Sequence, residues 1–130
     1  ESWRLDGAYT YLSMNLGLDA GSTSDPGQLG YIEGLAARHQ FSIRSGIDLS
    51  SAMQLDTIVR YVDPLPSLDY ASYTELDLGL SWAVLDNLSL SLVGQNLLEA
   101  HHPEQHFAFS ASGMSTEVQR SVYGRATWRF

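Results

Sequence analysis

The chain has 130 residues, the length of one ordinary domain, and its 15 acidic against 7 basic residues give a net charge of −8. No nucleic-acid partner is expected, because phosphate binding needs a basic surface, and the absence of cysteine excludes disulfides and thiolate chemistry. No apolar run approaches the roughly 18 residues of a transmembrane helix. The mean hydropathy of −0.13 does not separate soluble from membrane proteins, since a transmembrane β-strand needs only about 10 residues of alternating character.

Six segments alternate apolar and polar residues with a period of two, the pattern of a β-strand with two different faces. In chain order, these segments begin at Trp3, Phe41, Met53, Tyr73, Leu88 and Ser121. The connections at residues 50–51 and 86–87 are short, whereas those at 17–38, 62–71 and 100–115 are long. No stretch longer than a turn or two repeats with a helical period. The sequence therefore predicts an all-β fold, an antiparallel up-and-down meander of about six strands.

The polar positions of these strands contain no lysine and mix Ser, Thr, Gly and Gln with both signs of charge. A soluble β-sandwich presents its polar faces to water, and such faces are rich in lysine and glutamate. Interleaved Asp and Arg on one concave wall are more typical of a polar barrel lumen. The predicted lumen charges are Arg44, Asp48, Asp56, Arg60, Glu75, Asp77 and Arg125.

Aromatic residues are predicted near both ends of the strands. Those near the short turns or the termini are Trp3, Phe41, Trp82, Trp128 and Phe130. Those toward the long loops are Tyr9, Tyr11, Tyr61 and Tyr73, the last of them on the polar string. Two aromatic belts separated by Leu, Ile and Val are typical of a barrel that spans a bilayer, so the pattern favours a transmembrane β-barrel over a sandwich.

The last third of the chain resembles the C-terminal strands of TonB-dependent outer-membrane receptors. In that family a Tyr-x-x-Leu/Val-Asp strand precedes an Asn-Leu-Leu/Phe motif, a loop and a closing strand that ends in Phe. The matching positions here are Tyr73, Leu76, Asp77, Asn96, Leu97, Leu98, Arg120, Tyr123 and Phe130. Upstream, Trp3–Leu12 is similar to the family's Trp-x-x-x-Gly/Ala-x-Tyr-x-Tyr strand. Residues 37–49 are similar to the next segment, with Ala37 where proline is common.

This resemblance implies that residues 1–130 are the C-terminal portion of a 22-stranded barrel, with the plug and the earlier strands absent. The whole protein would lie in the outer membrane of a Gram-negative bacterium and import a scarce ligand such as an iron–siderophore. The implied partners are outer-membrane lipid, the remaining strands and plug, the barrel-assembly machinery, and TonB through the missing N-terminal part. No enzymatic activity and no cofactor are implied.

The closing strand carries a further implication of the resemblance. Outer-membrane barrels end in an aromatic residue preceded by apolar residues at alternate positions, and the barrel-insertion machinery reads this pattern as an assembly signal. The matching residues are Val122, Gly124, Ala126, Trp128 and Phe130.

Three histidines in the last long loop, His101, His102 and His106, are weak candidates for metal ligands. Adjacent histidines on a flexible loop do not easily share one tetrahedral site, so a solvated loop that also holds Pro103 is the favoured interpretation. Phe107 and Phe109 in this loop either contact a ligand or pack the loop on its neighbours.

Two pairs of carboxylates, Glu75 with Asp77 and Asp48 with Asp56, lack the nucleophile, base and orienting group of a catalytic set. Asn96 is predicted to bond the backbone where the fifth strand ends. The alternative to a membrane barrel is a soluble β-sandwich or a lipocalin-like small barrel that binds an apolar ligand.

Overall fold

The computed structural model describes residues 2–106 and 115–130. The chain forms an all-β fold with one short α-helix and one turn of 3-10 helix at Pro66–Leu68. The elements in chain order are β1 (Trp3–Tyr11), α1 (Pro26–Glu33), β2 (His39–Ser50), β3 (Met53–Val62), β4 (Tyr73–Leu85), β5 (Leu88–Gln95), β6 (His101–His106), β7 (Ser115–Gln119) and β8 (Ser121–Trp128). Among the described residues, no helix has the length and apolar character needed to span a bilayer.

Six strands form one antiparallel sheet in the order β1-β2-β3-β4-β5-β8, and β6 pairs with β7 as a separate hairpin. This arrangement confirms the predicted all-β, up-and-down meander of six strands. Within the described part of the chain, β1 and β8 each pair on one side alone, so the sheet is open.

The register brings residues of like character to the same face across all six strands. One cross-strand row consists of Trp3, Ile47, Leu55, Leu80, Leu92 and Gly124. The neighbouring row consists of Arg4, Gly46, Asp56, Gly79, Val93 and Tyr123. Because side chains alternate between faces along each strand, the sheet has one apolar face and one polar face. We call the face with the first row the apolar face and the face with the second row the polar face.

The apolar face is exposed on the outer strands and partly exposed on β3 and β4. The buried hydrophobic residues of the described chain are Ala37 and Val62, neither of which belongs to that face. Large side chains of the apolar face such as Trp3, Leu92 and Trp128 are more than half exposed. Among the described residues, the sheet therefore encloses no buried apolar core.

The first long loop contains a helix that the sequence did not predict. Asp25 is its N-cap and accepts a hydrogen bond from the Gly27 N–H at 2.9 Å, while Pro26 occupies the first turn and Gly34 is the C-cap. Proline at this position is favourable because its missing N–H would be unpaired in any case. The prediction missed α1 because its eight residues carry no apolar stripe of helical period.

Two further predictions about the connections were wrong. Residues 100–115, predicted as a loop, contribute β6 and the first residue of β7, so Pro103 lies in a strand of an isolated hairpin, where proline is tolerated. The first short turn lies at residues 51–52 rather than 50–51. Near that turn, a register shift between Asp48 and Ser50 displaces Leu49 from the predicted alternation. The second short turn lies at residues 86–87, as predicted.

Candidate functional site: the polar face and the Asn96 corner

The predicted lumen charges all lie on the polar face of the sheet. They occupy four different strands, β2, β3, β4 and β8, and the register places each of them in phase with the polar row described above. Among the described residues, the ion pair that joins two of these charges is that of Arg60 and Glu75.

The closest charge pair on the polar face joins Arg60 and Glu75, which stand directly opposite each other on β3 and β4. The Arg60 Nη1 atom lies 2.9 Å from Glu75 Oε2, and the two side chains are 49% and 11% exposed. Because Glu75 is nearly buried, its charge depends on this partner more than the half-exposed Arg60 does. The pair therefore fixes the guanidinium against the wall of the sheet.

Other predicted charges contact uncharged groups or stand opposite residues of the next strand. Asp48 accepts a hydrogen bond from the Ser2 hydroxyl, and Arg44 stands opposite Asp6 in the register. Arg125 stands opposite Ser91. The Ser2–Asp48 hydrogen bond connects β2 to the residue before β1, whereas for Arg44 and Arg125 the register gives the facing position on the next strand.

Aromatic residues form a belt at each end of the apolar face. At the short-turn end the register places Trp3, Trp82 and Trp128, and Phe130 follows the end of β8. At the long-loop end lie Tyr9, Tyr11, Phe41 and Tyr61. Along β3 the belts extend from Met53, opposite Trp82, to Tyr61, a span of about 26 Å at ~3.3 Å per residue.

The predicted position of Phe41 at the short-turn end was wrong. Phe41 pairs with Tyr9 and Tyr61, and its ring centroid lies 5.2 Å from that of Tyr61. The physical reason is the direction of β2, which starts at the long-loop end, so that its third residue is still close to the loops. Tyr73, at the start of β4, lies at the same end on the polar face, as predicted.

Four of the motif residues meet where β5 ends. Asn96 adopts a left-handed backbone with φ of 51°, and its N–H donates to Asp77 Oδ1 at 2.9 Å. The next N–H, that of Leu97, donates to the carbonyl of Leu76 at 2.9 Å. We call this arrangement of Leu76, Asp77, Asn96 and Leu97 the Asn96 corner. It explains why the two motifs occur together, because each supplies the hydrogen-bond partner of the other.

The Asn96 side chain attaches the corner to the following hairpin. Its Nδ2 donates to the Val118 carbonyl on β7 at 3.1 Å, and the residue is 2% exposed. This is a bond to backbone, of the kind that the sequence predicted for Asn96. Its Oδ1 is buried and has no hydrogen-bond partner among the described residues.

The remaining motif residues lie outside the corner. Leu98 is exposed, and the Arg120 N–H donates to the Ala100 carbonyl at 3.0 Å, at the base of the β6–β7 hairpin. Tyr123 lies on the polar face of β8, and Tyr73 is the first residue of β4, at the same long-loop end as the corner. The structure thus brings together four of the nine matching positions and leaves the others outside the corner.

The residues of the predicted assembly signal lie on the apolar face of the edge strand β8. Val122, Gly124, Ala126 and Trp128 stand opposite Gly94, Leu92, Leu90 and Leu88 of β5. Phe130 follows the strand and is fully exposed. The register of β8 with β5 thus covers the signal from Val122 to Trp128, and Phe130 lies two residues beyond the end of the strand.

The candidate metal ligands cannot be placed, because the side chains of His101, His102 and His106 lie outside the described part of the structure. Phe107 and Phe109 also fall outside the described residues. Within the part that is described, no group of three or more His, Cys, Asp or Glu side chains has the arrangement of a metal site.

Comparisons with protein-family models, with curated proteins and with solved structures each found no match to this chain.

Proposed function

We propose that this chain is the C-terminal wall of a TonB-dependent outer-membrane receptor, a transporter that imports a scarce ligand such as an iron–siderophore. The observation that carries the proposal is the apolar face, which is in register over all six strands, exposed on the outer strands and partly exposed on β3 and β4. An aromatic belt borders it at each end. Strands tilted by about 40° reduce the 26 Å span to a height of about 20 Å, close to the ~25 Å apolar band of such barrels.

The open edges support the same proposal. In hydrocarbon, each unpaired N–H or C=O group of an edge strand costs several kcal/mol. The free edges of β1 and β8 therefore require further strands, which the parent barrel would supply. The polar face then lines the lumen, where it meets the plug.

The alternative is a soluble sandwich or a lipocalin-like barrel that binds an apolar ligand. A sandwich needs a second sheet to cover the apolar face. In residues 2–106 and 115–130, the second sheet is the small hairpin of β6 and β7, which is too short to cover six strands.

Detergent dependence tests the proposal. The purified chain and the intact protein are refolded in buffer, in detergent micelles and in bilayers, and folding is followed by circular dichroism and size-exclusion chromatography. We expect the intact protein to be folded and monodisperse in micelles or bilayers alone, with Trp3, Trp82 and Trp128 quenched by lipids with brominated acyl chains, and we expect the purified chain by itself to form no folded monomer because its edge strands lack partners. A folded monomer in plain buffer would contradict the proposal.

A further inference from the structure

A recess of about 440 Å³ lies at the long-loop end of the polar face. Its polar lining comprises Gln40, Arg60, Asp63, Tyr70 and Tyr73, and Ala37 stands among the apolar residues of the segment before β2 that complete it. We call it the Arg60 recess. Ala37 and Val62, both in its lining, are the buried hydrophobic residues of the described chain, so part of this wall is packed. The volume falls within the range of small-molecule sites.

Arg60 lines this recess from β3, and two residues of its cross-strand row are small. Ala8 and Ser42 precede it in the cross-strand row, and Glu75 follows. The guanidinium carries five N–H donors in a fixed plane. One Glu75 oxygen lies at 2.9 Å, and half of the Arg60 side chain stays exposed. The ion pair thus orients the donors without covering them.

Asp63 supplies a fixed acceptor in the same recess. Its backbone N–H donates to the His39 carbonyl at 3.0 Å, and its Oδ2 accepts from the His39 N–H at 3.2 Å. A carboxylate has about four acceptor sites, so a bond from one N–H leaves acceptor capacity for a ligand. Asp63 is therefore held by β2 and still able to accept hydrogen bonds.

The charges of the recess select against simple ions. Arg60 and Asp63 cancel in its lining, and Glu75 stands behind Arg60. An anion attracted by Arg60 meets the repulsion of two carboxylates, and a cation attracted by the carboxylates meets Arg60. A neutral ligand that both donates and accepts hydrogen bonds uses Arg60, Asp63 and Gln40 together. Tyr70 adds a ring with an apolar body and a polar tip.

From this combination we infer that the Arg60 recess binds one unit of a neutral saccharide. Adjacent hydroxyl groups accept from Arg60 and donate to Asp63, and the C–H faces of the sugar pack on tyrosine and on the apolar wall. The inference rests on the proposed function in one respect, because the recess lies on the face proposed to line the ligand path. It narrows the ligand to one that carries a sugar, either free or as part of a larger molecule.

The test uses the intact protein in detergent micelles and saturation-transfer NMR with a panel of neutral mono- and disaccharides. Gluconate, which has hydroxyl groups and a negative charge, serves as the charged probe. A glycoconjugate that carries the best sugar of the panel is compared with that sugar alone. Tighter binding of the conjugate identifies the larger molecule as the source, and equal binding identifies the free saccharide.

We expect at least one neutral sugar to bind and gluconate to bind more weakly than its neutral counterpart. Arg60→Ala should weaken sugar binding about tenfold or more, the loss expected for a hydrogen bond to a charged group. Because that variant removes the cation that lies 2.9 Å from the buried Glu75, the double variant Arg60→Gln/Glu75→Gln provides a second test in which the buried charge is also removed. Arg4→Ala removes the same charge from the same face near the short-turn end and should leave sugar binding unchanged.

Absence of binding by every neutral sugar, binding that survives both Arg60 variants, or preference for gluconate would each overturn the inference. These results are separate from a failure of the proposed function. A protein whose tryptophans are quenched by brominated lipid, but which binds no sugar, keeps its membrane assignment and loses the saccharide site.

Discussion

Asn96 combines a backbone role and a side-chain role that substitutions can separate. Its left-handed φ of 51° is accessible to glycine and strained for alanine by roughly 1–2 kcal/mol. Both substitutions remove the hydrogen bond to Val118, worth about 1 kcal/mol. We expect Asn96→Gly to lower the free energy of unfolding by about 1 kcal/mol and Asn96→Ala by about 2–3 kcal/mol, measured by urea unfolding in micelles. Equal losses would contradict the strain argument.

Asp77 tests the other half of the Asn96 corner. Its Oδ1 accepts from the Asn96 N–H at 2.9 Å, and asparagine retains an acceptor at this position whereas alanine does not. Asp77→Ala should therefore destabilise the protein by about 1–3 kcal/mol, the penalty for a buried donor without a partner, while Asp77→Asn should have a much smaller effect. The same unfolding measurement compares the two variants. A similar loss in both would mean that the charge, rather than the acceptor, holds the corner.

At the scale of single residues, the sequence predicted the role of Asn96 but not the Arg60 recess. The role of Asn96 in bonding the backbone followed from its place at the end of a strand. The Arg60 recess was not predicted, because Asp63 and Tyr70 lie in the connection between β3 and β4, so that their meeting with Gln40 and Arg60 depends on how this loop folds. The period of a strand determines which face a side chain occupies, but it contains no information on where a loop folds back.

At the scale of elements, Gly34 sets how closely α1 approaches the 3-10 turn. A Cβ atom at Gly34 would lie 2.1 Å from Ser67 Oγ and 3.1 Å from Ser67 N, and the Ser67 N–H donates to the Gly34 carbonyl at 3.2 Å. Gly34→Ala should break this bond and raise the hydrogen-exchange rate of the Ser67 amide about tenfold. Because φ at Gly34 is −81°, the effect would arise from space and not from backbone strain.

Gly30→Ala is the matched control for this contact. An added Cβ at Gly30 meets nothing within 4 Å, and alanine favours a helix by up to about 1 kcal/mol over glycine. This variant should leave the Ser67 amide as protected as before or more so. Faster exchange in both variants would show that α1 itself, rather than its contact with the turn, had been disturbed.

The elements differ in how far sequence could predict them. Six strands were predictable because burial or lipid on one face imposes a period of two on every strand. Helix α1 lacked a stripe of apolar residues, although Asp25 followed by Pro26 is a helix-start signal that was available. The sequence of the β6–β7 hairpin contains no strand signal, since β6 contains Pro103 and no alternation of apolar residues.

For the last strand, β8, we predict an effect on assembly into the membrane without an effect on stability. Phe130 is fully exposed and follows the last residue of β8, so its removal takes away no packing in this chain. Deletion of Phe130 from the intact protein should therefore lower its level in the outer membrane severalfold, while refolding in micelles stays unchanged. Arg129→Ala, which keeps the terminal ring, is the control. Normal membrane levels without Phe130 would count against an assembly signal.

At the scale of the whole molecule, the two faces of the sheet place opposite demands on their surroundings. The apolar face, exposed and bordered by aromatic belts, requires a hydrocarbon-like covering. The polar face, with Arg60, Asp63 and hydroxyl-bearing residues, requires water or a hydrogen-bonding ligand. Under the proposed function, a closed barrel would meet both demands, because closure would separate lipid from lumen and would pair the edges at β1 and β8 that are open among the described residues.

Adjacent residues of β4 test that separation directly. Leu78 lies on the apolar face and Gly79 on the polar face, in neighbouring rows of the sheet and hence at nearly the same depth. In bilayers, Leu78→Arg should destabilise the protein by about 2–4 kcal/mol, the range measured for arginine on the lipid face near the midplane. Gly79→Arg should lower the free energy of unfolding far less, because a Cβ at Gly79 lies 3.8 Å from its nearest neighbour, Asp56 Cβ. The test compares the unfolding free energies of both variants in bilayers. Equal losses would remove the distinction between a lipid face and a lumen face, and with it the physical basis for a membrane barrel.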